Sequence, residues 1–288
     1  MSVLSSPQGS PERVWSLLAG LQALGGTASS EIYHALLSPL ADSSLVSDTR
    51  GVISSLGLVQ ISGHDVSLID GLDLVDITGF ADDVHDRLVT LQVQELDAII
   101  LTTYAWICAE SDRAGTISWL YGLTALQFAD QASEALKQAG EGSPLINTAK
   151  LPAWHRWLVF MGIAAPLPLS APKILFSSTQ RLRRELQRAS TTLPAEMTAE
   201  EFRAFVARHM PYLDRGRFFT VACSWIGHAP PLQQLSPMLS DAVRDLHDEG
   251  TIQLCLSGDA TTHVRLTENP SHSVNAFTTV RILVGKDQ

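Results

Sequence analysis

The chain has 288 residues, 45% of them hydrophobic and 17% charged, and a formal charge of −10. That composition is of a folded protein with room for two or three domains, and the acidic balance argues against a general nucleic-acid coat, whose affinity comes from neutralising phosphates. The longest apolar stretch, 98–109, is interrupted by Thr102 and Thr103 and too short to span hydrocarbon, so no membrane role is expected.

The first ten residues carry no basic and apolar leader and read as a disordered tail. Cys108, Cys223 and Cys255 are isolated and odd in number, which predicts a reducing cytoplasm, no structural disulfide and no zinc site. Ser10-Pro11-Glu12 then reads as a helix start, with a capping hydroxyl, a proline in the first turn and an acid near the positive end. Val14, Trp15, Leu17, Leu18, Leu21 and Leu24 supply its buried face, and Gly25-Gly26 stops it. Residues 27–30 cap a second helix over 31–37, closed by Pro39. A third helix starts at Ser47-Asp48. Its Val52, Ile53 and Leu56 precede Gly57, and alternating stretches 58–62 and 65–69 flank a Gly63-His64 turn.

Residues 70–84 are acidic and turn-rich and read as a linker. Long helices are predicted over 84–109 and 116–139, with a break at 111–115 and a core of Trp119, Leu120, Leu123, Leu126, Phe128 and Leu136 in the second. After a stop at 140–144, residues 145–150 read as a short strand. Trp154, Trp157, Leu158 and Met161 then share a helical face before Gly162, and strands are predicted over 163–167 and 173–176, punctuated by Pro166, Pro168 and Pro172. An amphipathic helix over 179–189 and a connection over 191–198 follow. Thr198, with Glu200 and Glu201, caps another helix whose apolar side is Phe202, Phe205, Val206 and Met210. Residues 218–226, rich in aromatic and β-branched types, read as a strand. Finally Met238, Leu239, Ala242, Val243 and Leu246 precede Gly250. Strands 252–256 and 264–266 flank the Gly258-Asp259 turn, and 274–284 adds a last strand.

Helix, glycine and β-ribbon thus occur three times, at Gly57, Gly162 and Gly250, where a left-handed helix end favours glycine. This is the second half of a winged helix. The expected fold is α+β and helix-rich, with three tandem winged-helix-like domains: 1–72, a helical middle domain with the second winged-helix unit over 73–193, and 194–288.

The passages NTAKLPAWHRWLVFMGIA and SSTQRLRREL, and further on EEFRAFVARHMPYLDRGRFF and LSPMLSDAVRDLHDEGTIQL, resemble the DpdG family of bacterial proteins over 11–283. Those proteins are encoded beside enzymes that place 7-deazaguanine derivatives in DNA, in islands linked to restriction and phage defence. The resemblance implies a role in DNA modification or restriction and carries no catalytic residues to transfer.

No phosphate-binding GxxxxGK[ST], dinucleotide GxGxxG, metalloprotease HExxH, hydrolase GxSxG or CxxC occurs, which disfavours an ATPase, dehydrogenase, zincin or serine hydrolase. Asp82 and Asp86 would share a helical face and suit a hard cation, but acids at a helix start are the plainer reading. Cys223, with His228 or His263 as base, is set against a buried structural thiol, and His64 against a solvated turn. Charge is uneven: −11 over 1–172, +4 over 173–217 and −3 over 218–288. Within the basic zone Arg181, Arg184 and Arg188 fall on one helical side, the best anion grip in the chain, although a solvated face partly paired with Glu185 is the plainer alternative. Lys150, His155 and Arg156 would extend the patch, with Arg215 and Arg217 as weaker additions.

The helices in the recognition position present few cations: Arg50 in the first, and an acidic set including Asp241, Asp245, Asp248 and Glu249 in the third. The expected function is therefore a non-enzymatic scaffold or adaptor that joins protein partners of a DNA-modification or restriction complex. Double-stranded DNA contact would fall to Arg181, Arg184, Arg188, Lys150 and Arg156. No catalytic residue, metal or cofactor is assigned. A DNA-binding regulator and a metal-dependent nuclease using Asp82 and Asp86 are the alternatives.

Overall fold

Helix starts fall where short polar side chains take up the first free amides. The computed structural model describes residues 2–6, 8–36, 43–139, 145–167, 174–257 and 263–283. Ser10 accepts from the Arg13 amide and Pro11 opens α1 (Pro11–Ala23). A short strand, β1 (Thr27–Ser29), ends in the cap of α2 (Ser30–Ala35), and α3 (Ser43–Ser55) leads to β2 (Val59–Ser62) and β3 (Asp65–Leu68). Asp76 caps α4 (Ile77–Leu88), and α5 follows (Ile99–Ala114). Then come α6 (Ser118–Tyr121), α7 (Ala125–Leu136), α8 (Leu151–Met161), β4 (Ala164–Pro166), β5 (Ile174–Phe176) and α9 (Thr179–Ala189). The last part holds β6 (Glu196–Thr198), α10 (Ala199–His209), α11 (Arg217–Trp225), α12 (Pro237–Asp248), β7 (Ile252–Cys255), β8 (Val264–Arg265), β9 (Ala276–Phe277) and β10 (Thr279–Ile282). The fold is helix-rich with small antiparallel sheets, an α+β architecture. No helix among the described residues is long and apolar enough to cross a membrane.

The chain divides into two compact units, Met1–Ile100 with Ile146–Met161, and Leu101–Leu145 with Gly162–Gln288. In the first, β3 sits between β1 and β2, the sheet packs with α1 and α2, and α3 packs on α1. Helix α8 joins them against α1 and α4, burying Trp154 and Trp157, and the Trp154 indole donates to the Ile100 carbonyl at 3.0 Å. In the second unit β10 lies between β6 and β7, the same order as in the first sheet. Helix α12 packs on this sheet and on α9, and eight of its residues, from Pro237 to Leu246, are buried.

Gly57, Gly162 and Gly250 adopt φ of 61°, 76° and 73°, each between a helix and a strand. All three helix–glycine–strand handovers therefore form as read, because a left-handed helix end carries no steric cost for glycine.

Other expectations are corrected. The N-terminal tail is docked: Val3 and Leu4 are buried, and Ser2 Oγ and the Val3 amide donate to buried Asp97 at 2.8 and 2.7 Å. Anchoring at Asp97, which Ser55 also bonds, interrupts the predicted 84–109 helix, so α4 and α5 are separate and the "linker" contributes α4. The predicted 116–139 helix is likewise broken. Thr124 and Gln127 form a capping box that starts α7 afresh and leaves Leu126 exposed. Residues 145–150 are not a strand, since Asn147 Oδ1 accepts the Lys150 amide in a turn that starts α8. Residues 218–226 form helix α11, whose aromatic face, Phe218 and Phe219, is buried. The return strand β8 pairs with β9, and β7 takes β10 as its partner. Pro39, Pro168, Pro172, Lys173, the 140–144 stop and the Gly258-Asp259 turn lie outside the described residues.

A Cβ at Gly250 would meet no neighbour, so only its left-handed φ resists substitution. Gly250→Ala is expected to cost about 1–2 kcal/mol. Gly20→Ala, inside α1 with ordinary contact to Leu36, is expected to be neutral or to stabilise by up to about 1 kcal/mol. Denaturant titration of the two variants separates backbone strain from packing.

Candidate functional site

Of the predicted anion-binding residues, Arg181, Arg184 and Arg188 lie on α9 in the second unit, and Lys150 and Arg156 belong to the first. Helix α9 is covered along more than its leucine stripe. Arg181 and Glu185 are buried with Leu182 and Leu186, and the Arg181 guanidinium meets Glu185 at 2.7 Å. The expected exposed face of three arginines is corrected on this point: Arg181 is enclosed and paired one helical turn away. Arg188 is partly exposed and 3.4 Å from the same carboxylate, which His209 also approaches at 3.4 Å. Arg184 is half-buried, and Arg183, one position earlier, pairs with Glu249. In the first unit Arg156 is exposed. Burial depresses the Lys150 amine and holds the neighbouring His155 down at about 4, so that imidazole is neutral near pH 7.

Asp82 and Asp86 stand one turn apart on α4, and the cap of that helix is Asp76. The Gly63-His64 turn is solvated as read, with its His64 carbonyl accepting the Ser30 amide. His263 is exposed, whereas Cys223 and His228 line one cavity in the second unit.

That cavity, of about 320 Å³, is the strongest candidate site. α5 contributes Asp112, α10 Arg203, the turn before α11 Asp214 and Arg215, and α11 Phe219, Thr220, Cys223 and Ser224. The segment before α12 adds His228, Pro230, Pro231, Leu232 and Gln234. His228 Nε2 lies 2.7 Å from the Asp112 carboxylate, with both side chains largely buried. Burial, then the charges of Asp112 and Asp214, push the Cys223 thiol up to about 12. A thiol so raised has almost no thiolate at pH 7, so the cysteine reads as a wall, not a nucleophile.

Asp214 is buried and accepts from the Ser236 amide at 2.8 Å and from the Ser236 hydroxyl. Burial raises its carboxyl to about 6 against the pull of those bonds. The same Ser236 hydroxyl caps α12. Sequence reasoning missed Asp112, Asp214 and Arg203, which belong to no motif. Asp112 lies 116 positions from His228, and the only local signal was the turn around Asp214-Arg215-Gly216.

A family model described as DpdG-like matches residues 1–260. The chain belongs to the DpdG-like family. That membership links it to 7-deazaguanine DNA-modification islands. No curated protein and no solved structure gives a significant match. The match spans both units and includes every residue of the cavity in this DpdG-like chain.

Arg181→Ala would leave Glu185 buried beside weaker partners. It is expected to cost about 3–5 kcal/mol, with less loss when Glu185 is replaced by Leu in an Arg181→Met background, as urea titration would show. Asp214 gives a pH signature. Its folded value near 6 stands above the ordinary 3.8, so the folded state holds the proton more tightly. Stability from this group is full below the unfolded value and falls by about 3 kcal/mol as pH rises through the folded one. Asp214→Asn is expected to flatten that part of a pH series of melts and to leave the protein no less stable at neutral pH.

Proposed function

We propose that this DpdG-like protein is a non-enzymatic scaffold or adaptor of a DNA-modification or restriction complex, built from winged-helix-like units that bind protein partners. The shared strand order of the β1–β3–β2 and β6–β10–β7 sheets, each with a helix and left-handed glycine leading into its second strand, supports the winged-helix reading of the first and last units. The middle unit rests on the order α8, Gly162, β4–β5 alone, and the division at 1–72, 73–193 and 194–288 is part of the proposal.

The observation that carries the adaptor reading is the state of the recognition-position helices. A helix that reads a major groove offers free Arg, Lys, Asn or Gln to base edges. On α12, Arg244 is buried and donates to the Thr267 carbonyl at 2.6 Å. On α3, Arg50 bonds His34 and lies over the Tyr33 ring. On α8, the tryptophans face inward and Arg156 is exposed. In this reading DNA contact is secondary and falls to Arg184, Arg188, Lys150 and Arg156, with Arg181 acting through the fold.

Affinity purification from the native host is expected to recover proteins encoded in the same island, and recovery of the chain alone would count against the adaptor. The purified chain is expected to bind duplex DNA no more tightly than about 10⁻⁵ M at physiological salt. Tighter, steeply salt-dependent binding that Arg184→Ala/Arg188→Ala abolishes would favour the regulator reading instead.

A further inference from the structure

Within the cavity of the second unit, two guanidinium groups converge on one neutral acceptor. Arg203 Nη1 and Arg215 Nη2 both donate to the Leu232 carbonyl, at 2.7 and 3.3 Å. A peptide oxygen carries only a partial charge, and arginine bonds most strongly to a full oxyanion. The carboxylate that serves the pair, Glu200, is largely exposed. It meets Arg215 and stands 3.9 Å from Arg203. The Arg203 side chain is 3% exposed, and its Nε is buried with no hydrogen-bond acceptor. Burial, then the charge of Arg215, holds the Arg203 guanidinium below its ordinary range.

The backbone around the pair is constrained. Arg215 has a φ of 62° and is the one non-glycine residue in the left-handed region among the described residues. A Cβ on the adjacent Gly216 would fall 2.3 Å from the Pro211 carbonyl oxygen, so this turn is tightly packed. Leu232, by contrast, follows Pro230-Pro231 and leaves its side chain 79% exposed. The cations sit on packed structure, and the carbonyl that occupies them belongs to an exposed residue between the anchors at His228 and Ser236.

We propose that this cavity binds a small oxyanion on an apolar body, a phosphate ester or a carboxylate, held by Arg203 and Arg215 against Phe219, Pro230 and Pro231. The oxyanion takes the place of the Leu232 carbonyl between the guanidiniums. A volume of about 320 Å³ suits a ring-sized body. The acids on the lining are already engaged, Asp112 with His228 and Asp214 with Ser236.

Phenyl phosphate, benzoate and benzyl alcohol, titrated into the full chain at constant ionic strength and read by calorimetry and thermal shift, test the site. Saturable binding of phenyl phosphate or benzoate is expected, the tighter of the two identifying the oxyanion, with none for the neutral alcohol. Arg215→Gly removes a guanidinium and relieves the left-handed strain, so it keeps the fold and is expected to weaken binding at least about tenfold. Thr220→Phe, at the exposed edge of α11, adds bulk to the cavity lining while leaving both arginines in the chain and is expected to do the same. No binding by either anion, an equal response to the alcohol, or unchanged affinity in both variants would overturn the proposal.

Discussion

A helix buried on most of its surface needs partners for the polar groups it carries, because an unpaired buried donor costs about 1–3 kcal/mol, and α12 is such a helix. Ser236 caps its start and is itself held by Asp214. Ser240 accepts the Thr267 amide, Arg244 reaches the carbonyls of Thr267 and Val274, and Asp245 accepts from Thr179 at the start of α9. These bonds tie residues 267–274 across the helix. They also explain the exchange of strand partners, since a chain held at Thr267 and Val274 brings β10, not β8, alongside β7. Arg244 is thereby taken up inside the protein, and the exposed face of α12 presents the acids Asp241, Asp245 and Asp248.

The same logic disposes of the basic zone. A balance of +4 over 173–217 suggests a positive surface, but the folded chain engages most of those cations with its own acceptors and rings. Arg181 is buried against Glu185, Arg183 meets Glu249, Arg203 sits on the Leu232 carbonyl, Arg215 meets Glu200 and Arg217 lies over the Phe218 ring. Guanidinium groups suit such interior and edge positions because the planar fork makes several directed bonds while the stem packs against apolar neighbours. A charge count along a sequence reports none of this.

The glycines at 57, 162 and 250 were legible because a left-handed helix end is a local backbone demand that few other residues meet. Helix caps at Ser10 and Thr198 were legible for the same reason. Helix α11 was not, because Phe, Val and Cys at 218–223 satisfy a buried helix as well as a strand, and packing decides between them. The interruption between α4 and α5 was hidden because its cause is Asp97 gripping residues 2 and 3, more than ninety positions away. The cavity was the least legible feature. Its Asp112–His228 pair joins α5 to the segment before α12, and no spacing rule connects them.

Asp214 belongs to two structures at once, and this joins the cavity to the fold. Its carboxylate lines the cavity beside Arg203, and its two bonds to Ser236 hold the residue that caps α12. The Leu232 carbonyl, which bridges the arginines, lies four residues before that cap on the same segment. Asp214 and the Arg203–Arg215 pair therefore hold the two ends of the short path from Leu232 to Ser236. Arg244, on the helix that Ser236 caps, in turn ties residues 267–274 through the Thr267 and Val274 carbonyls.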